Sequence, residues 1–222
     1  MLKFKMFLME QARSGMDGIR AVFFDLGKVI LDFSHQRIVD SLLSKARPED
    51  RRPAELFDHL FDLKYGLCNL YDEGGISSRD FYNNLNSRFG LGVTFDGFVP
   101  LWNDIFTENT LVSEIVREVR KLRPVYLLSN VNELHWEYVT ARYPVLNEMD
   151  GWVLSFRVNV KKPHPAIYRA ALETAGVKEG EAVFIDDMEE NTAAASVHGI
   201  HGITFTGAAG LRGRLGRLGL IR

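Results

Sequence analysis

The amino-acid sequence predicts an α/β protein: a doubly wound parallel sheet whose first strand is followed by an inserted block of short helices. Three observations lead there. An apolar run, Val22-Phe23-Phe24, closes on Asp25 and Gly27. Residues 35–106 then show helical periodicity with few β-branched runs, and from Leu111 onward strands and helices alternate, the pattern of parallel βαβ units.

Taken in order, residues 1–18 carry Lys3, Lys5 and an apolar Met6-Phe7-Leu8-Met9, but Glu10, Gln11 and Arg13 follow at once. That apolar core is too short for a signal peptide, so the segment reads as an N-terminal extension. The first strand runs from about Arg20 to Phe24. Helices are expected over His35–Ala46, Pro53–Leu63, Ser78–Phe89 and Phe95–Phe106, with Pro48 and Pro53 as punctuation, a turn at Asp72-Glu73-Gly74-Gly75 and Ser77 as an N-cap. Leu111–Leu122 is an amphipathic helix leading into strand Val125–Leu128. Helix Val131–Tyr143, strand Trp152–Leu154 and helix Pro165–Ala175, stopped by Gly176, come next. Strand Val183–Ile185, helix Glu190–His198 and an edge strand Gly202–Phe205 complete the sheet. In the tail, Leu211, Leu215 and Leu218 fall at helical intervals. The expected organisation is an extension over 1–18, a core over 19–34 and 107–222, and a helical subdomain over 35–106.

The chain has 222 residues, 46% hydrophobic and 25% charged, which is ordinary for a globular protein. A formal net charge of −2 argues against a nucleic-acid partner. No segment approaches the roughly 20 apolar residues that cross a bilayer. Cys68, the single cysteine, can form no intramolecular disulfide and is expected as a buried free thiol. A cytoplasmic monomer or homodimer acting on a small molecule fits these features.

Four apolar runs end in polar chemistry. Phe24 gives way to Asp25, Val125-Tyr126-Leu127-Leu128 to Ser129-Asn130, Val160 to Lys161-Lys162-Pro163, and Val183-Phe184-Ile185 to Asp186-Asp187. Side chains at strand ends lie where α/β sheets keep their chemistry. This set supplies a nucleophile, a hydroxyl, a cation and an acidic pair, which matches Mg²⁺-assisted phosphoryl transfer. The acidic pair could also cap the helix that begins near Glu190.

The order Asp25, Ser129, Lys162, Asp186-Asp187 resembles the four motifs of the haloacid dehalogenase-like (HAD) hydrolase superfamily. Phe24-Asp25-Leu26-Gly27-Lys28-Val29-Ile30, Leu127-Leu128-Ser129-Asn130, Lys162-Pro163-His164-Pro165-Ala166-Ile167-Tyr168 and Phe184-Ile185-Asp186-Asp187 resemble its branch with Gly two residues after the nucleophile, which includes sugar-phosphate phosphatases. The resemblance implies a Rossmann-like core closed by a type-1 helical cap. It implies Asp25 as the nucleophile forming an aspartyl-phosphate, with Mg²⁺ held by Asp25, the Gly27 carbonyl, Asp187 and Asp186. Ser129, Asn130 and Lys162 would hold the phosphoryl group, and Asn191 would orient the metal site from behind. Lys161 is expected to face solvent, and His164 matches no catalytic position.

Most phosphatases of the superfamily carry a second Asp at the position of Gly27, and that Asp protonates the leaving alcohol. Glycine cannot, and losing a general acid costs about 10²–10⁴ in rate. Three readings follow: a phosphatase of substrates such as sugar phosphates without the usual acid, a phosphate- and Mg²⁺-binding protein with little turnover, and a haloacid dehalogenase. Gly27 and the acidic pair argue against the third, since dehalogenases carry an aromatic residue there and need no metal. Lys28 and His35 are the nearest replacement acids; Lys28 is expected in a solvent-facing turn and His35 at the cap hinge. Tyr65, Tyr71 and Trp102 are expected to pack the cap's own core.

Overall fold

The computed structural model describes residues 18–222, so all of the expected N-terminal extension except Gly18 lies outside the described residues. Five strands form one parallel sheet: β1 (Ala21–Phe24), β4 (Val125–Ser129), β5 (Gly151–Leu154), β6 (Ala182–Asp186) and β7 (Ile200–Thr204), in the order β5-β4-β1-β6-β7. The strands are almost entirely apolar because both faces of the sheet are covered. Val22 and Phe24 of β1, with Val125, Leu127, Val183 and Ile185, pack on one side against α6 (Thr110–Arg120), α7 (Glu133–Arg142) and α11 (Ala208–Arg217). Ala21, Phe23, Leu128 and Phe184 point the other way, onto α9 (Pro165–Ala175) and α10 (Glu189–Val197). The alternation is the two-residue period of a strand, and it makes the sheet doubly wound as expected.

Register decides where the chemistry lies. Phe24 pairs with Leu127 on one side and with Ile185 on the other. The next residue on each strand therefore emerges at the same carboxyl edge: Asp25 beside Asp186, with Ser129 one residue past Leu128.

Between β1 and α6, five helices build a separate apolar cluster: α1 (His35–Leu43), α2 (Pro53–Phe61), α3 (Leu67–Asp72), α4 (Ser78–Phe89) and α5 (Phe95–Asn103). Ser77 caps α4, its hydroxyl accepting from the Asp80 N–H at 3.1 Å. Gly90 ends α4 in the left-handed region. The insertion enters and leaves through a two-stranded antiparallel ribbon, β2 (Leu31–Asp32) and β3 (Thr107–Glu108). Among the described residues, no helix is long and apolar enough to cross a membrane.

Several expected elements shift. Helices over 35–46, 53–63 and 95–106 end two or three residues early. The last strand begins at Ile200, not Gly202, because buried Ile200 pairs with Ala182. Helix α3, the ribbon and the one-turn α8 (Ser155–Val158) are too short to print a period on the sequence. Tyr71 and Trp102 pack the insertion's core as expected, but Tyr65 is 78% exposed in the loop between α2 and α3, outside that core, with the Lys64 ammonium over its ring.

Candidate active site

The four motifs converge, three of them from strand ends and Lys162 from the loop after α8, where the apolar run forms no strand. Asp25 sits just beyond β1 with its N–H bonded to the Ile185 carbonyl at 2.8 Å, so the backbone of β6 fixes its position. Its Oδ1 accepts from the Leu26 N–H at 2.7 Å and lies 2.8 Å from Lys162 Nζ. Burial pushes the Asp25 carboxyl up to about 6; Lys162 opposes that rise and Asp186 adds to it.

Lys162 is 4% exposed and its Nζ bridges Asp25 Oδ1 and Asp186 Oδ2, the latter at 2.6 Å. Burial works against its charge, yet the two carboxylates outweigh it and hold the ammonium above its usual range. A buried cation is stable only with such partners. The loop that presents Lys162 is fixed by Asn130, whose Oδ1 accepts from the Lys162 N–H at 2.8 Å and whose Nδ2 donates to the Lys162 carbonyl at 3.1 Å. That clamp is a role the sequence did not reveal. The peptide bond from Lys162 to Pro163 is cis.

The acidic pair divides. Asp186 is fully buried and fully bonded: besides Lys162, it accepts from the Met188 N–H at 2.8 Å and from Asn191 Nδ2 at 3.0 and 3.1 Å. Asp187 is more open, and burial followed by the Asp186 charge raises its carboxyl above the usual range. Carboxylate oxygens of Asp25, Asp186 and Asp187 lie within 4.8 Å of one another. The Gly27 carbonyl takes none of the turn's hydrogen bonds, which run from Lys28, Ile30 and Leu31 N–H to Leu31 and Leu26 carbonyls. These oxygens form a hard, anionic donor set that suits Mg²⁺.

Ser129 is buried at the tip of β4. Lys28 is exposed, with Nζ tied to Asp32 and the Phe33 carbonyl. His35 stacks on Phe61 at 4.1 Å, and His164 caps α9.

A chamber of about 730 Å³ lies between this edge and the helical insertion. It is lined by Gly27, Ser129, Asn130 and Lys162 on the core side, and by Phe33, His35, Phe61 and Trp102 among others. Lys161 also lines it, bonded to Asn69 Oδ1, instead of facing solvent as expected. Cys68 is another lining residue, and burial holds its thiol far above the ordinary value, in its protonated form. Asp72, Asn132 and His135 form a cluster for which no sequence pattern is a signal. Asn132 Nδ2 donates to Asp72 Oδ1 at 3.0 Å and to His135 Nδ1 at 3.1 Å, and His135 Nε2 donates to the Trp102 carbonyl at 3.2 Å.

A parallel sheet with a carboxylate, a buried ammonium and an acidic pair at its carboxyl edge, roofed by helices, defines a class of α/β hydrolytic enzymes. A model of haloacid dehalogenase-like hydrolases matches residues 19–199, and the chain belongs to that family. Among characterised proteins, the sesquiterpene phosphatase astK of Aspergillus oryzae is 23% identical over 183 residues, 82% of this chain and 87% of that protein. Among solved structures, the HAD family enzyme bt-2542 of Bacteroides thetaiotaomicron gives a TM-score of 0.75 at 27% identity, covering 84% of this chain and 93% of the other. Its wild-type complex with magnesium and inorganic phosphate gives 0.74 at 27%, covering 84% and 94%. A HAD-like hydrolase of Porphyromonas gingivalis shares the fold with a TM-score of 0.73 at 22% identity, over 90% and 98%.

Proposed function

We propose that this HAD-family hydrolase is a Mg²⁺-dependent phosphatase of a small phosphorylated metabolite, working through an aspartyl-phosphate on Asp25. The observation that carries the reading is that Lys162, which lines the chamber, bridges Asp25 and Asp186. The phosphatase activity of astK and the magnesium–phosphate complex of bt-2542 support it.

Asp25, Asp187 and the Gly27 carbonyl would hold the metal, while Asp186, with every oxygen engaged by protein, anchors Lys162 and contributes charge behind them. Bound there, Mg²⁺ would offset the repulsion between a carboxylate and a phosphate dianion. Asp25 Oδ2, which has no protein partner among the described residues, attacks phosphorus: the Asp25–phosphorus bond forms and the bond to the substrate oxygen breaks with its electron pair on that oxygen. Ser129 Oγ, the Asn130 N–H and Lys162 Nζ hold the phosphoryl oxygens as charge shifts among them. Gly27 has no proton to give, so the departing oxygen takes one from water. A second water then hydrolyses the aspartyl-phosphate and restores Asp25. Residues 35–106 act as the cap that closes on the organic part.

A second reading is favoured by Gly27 itself: a protein that binds phosphate and Mg²⁺ with little turnover. Phosphate release from hexose phosphates and p-nitrophenyl phosphate, with Mg²⁺ or EDTA, in wild type and Asp25→Asn, separates the two. Mg²⁺-dependent release lost in the variant supports the phosphatase. No release anywhere supports the binding protein.

A further inference from the structure

We propose that the chamber takes an apolar organic group, so that the ligand of this site is the phosphate ester of an apolar alcohol and not of a sugar. This rests on the phosphatase reading and narrows it. The walls between the helical insertion and the core include Phe33, Ile38, Phe61, Trp102, Ile105 and Phe106. A sugar would need hydrogen bonds for several hydroxyls, since a buried hydroxyl without a partner is costly.

Among the described residues, most buried or half-buried polar side chains that face the chamber already have partners, while Glu73 and the exposed His35 and Glu190 have none. Both ring nitrogens of His135 are engaged, by Asn132 and by the Trp102 carbonyl. Asn132 Oδ1 accepts from the His135 N–H at 3.1 Å, while its Nδ2 serves Asp72. Asn130 is spent on the Lys162 backbone and Lys161 on Asn69. That leaves one imidazole, His35, and two carboxylates, Glu73 and Glu190, for a polyol.

Two exposed apolar side chains also line the chamber, beside the exposed charged residues Asp62 and Glu190. Leu63 is 96% and Met188 51% exposed. Beside the reacting centre, the space over Gly27 is filled by the Phe33 ring, which puts an aromatic surface where the substrate's first carbon would lie.

The test uses Asp25→Asn, in which chemistry is off, and measures binding of butyl, hexyl, octyl and decyl phosphate with glucose 1-phosphate and glucose 6-phosphate as references. Affinity should rise about fourfold per added methylene until the chamber is filled, and inorganic phosphate should displace decyl phosphate. Leu63→Asp, at a position the fold does not depend on, should lower decyl phosphate affinity several-fold. A flat series, tighter binding of either hexose phosphate, or decyl phosphate that inorganic phosphate cannot displace would overturn the proposal. Turnover by the wild type is scored separately. Chain-length-dependent binding without turnover keeps the apolar site and removes the phosphatase, whereas Asp25-dependent turnover with a flat series does the reverse.

Discussion

The ring of Phe33 occupies the space that a side chain at Gly27 would need: a Cβ added at Gly27 would meet Phe33 Cε1 at 2.8 Å. Phe33 is held there by His35 at 5.1 Å, Phe106 at 6.1 Å and the Lys28 ammonium over its face. The missing acid and the aromatic wall are therefore one feature. Gly27→Asp alone should disturb the loop without restoring an acid, whereas Gly27→Asp with Phe33→Ala opens room for the carboxyl. Alkyl phosphates, whose leaving oxygens need a proton, should then be hydrolysed faster than by Phe33→Ala alone, up to the roughly 10²-fold of a working acid. p-Nitrophenyl phosphate, whose leaving group needs none, should gain little. Equal gains on both substrates would show that the double variant changed binding and not proton transfer.

The two adjacent acids should separate on mutation. Among the described residues, Asp187 has no protein partner for its carboxylate beyond its own backbone, so Asp187→Asn should raise the Mg²⁺ concentration needed for activity at least tenfold with little change in Tm. Asp186→Asn weakens the partner of a buried ammonium and should lower Tm even with EDTA present. Removing one partner of a buried pair costs about 3–5 kcal/mol, and each kcal/mol reads as about 2–4 °C in a chain of this size. Asparagine keeps one acceptor for Lys162, so the fall should lie below that full cost. Titrating Mg²⁺ against activity and Tm in both variants checks the division.

Gly74 ties the insertion to the core. It follows α3 with φ +70°, and a Cβ there would sit 2.4 Å from the Phe156 carbonyl oxygen. Beside it, the Asn159 side chain donates to the Glu73 carbonyl at 3.0 Å, and Ser155 Oγ donates to the Asp72 carbonyl. Gly74→Ala must both adopt a left-handed backbone and push back the facing strand-to-helix turn, so it should lower stability by more than about 1 kcal/mol. It should also raise KM more than it lowers kcat, because Asp72 and Asn69 line the chamber from this side. A variant with parental Tm and KM would show that this contact does not hold the insertion in place.

The motifs were legible because each is local. An apolar run that ends in Asp25, Ser129 or Asp186 announces a strand end, and parallel register then brings strand ends to one edge without further information, whereas Lys162 follows the one-turn α8 and reaches that edge from a loop that Asn130 clamps. Helices with caps, such as the one from Ser78 to Phe89, were legible for the same reason. What escaped was non-local or short. Phe33 reaching over Gly27, Asn130 clamping the Lys162 backbone, and the Asp72–Asn132–His135 cluster join residues by tertiary contact, and no period or spacing encodes them. Lys161 and Tyr65 were misread in opposite directions. Charge suggested solvent for a lysine that the chamber wall holds through Asn69, and size suggested burial for a tyrosine left on a loop.

Two chamber residues should give stability opposite dependences on pH across one window. Burial holds His135 down to about 4 from an ordinary 6.5, with its Nδ1 lone pair turned to the Asn132 amide and its ring stacked on Trp102 at 4.9 Å. The fold thus favours the neutral imidazole: its contribution is complete above pH 6.5 and is lost as pH falls through about 4. Burial raises Asp72 to about 6 from 3.8, which favours the protonated acid, so that contribution is complete below pH 3.8 and is lost as pH rises through about 6. In the wild type the two trends offset each other, and single variants unmask them. The Tm difference between wild type and His135→Gln should shrink as pH is lowered from 6.5 to 4. Asp72→Asn, neutral at every pH, should gain on the wild type as pH is raised from 4 to 7, because it never carries the buried charge. Thermal melts of the three proteins across that range check both signs. A difference that stays constant with pH for either variant would mean that its group does not titrate with a shifted value in the folded chain, and that its hydrogen bonds, not its charge, set its contribution.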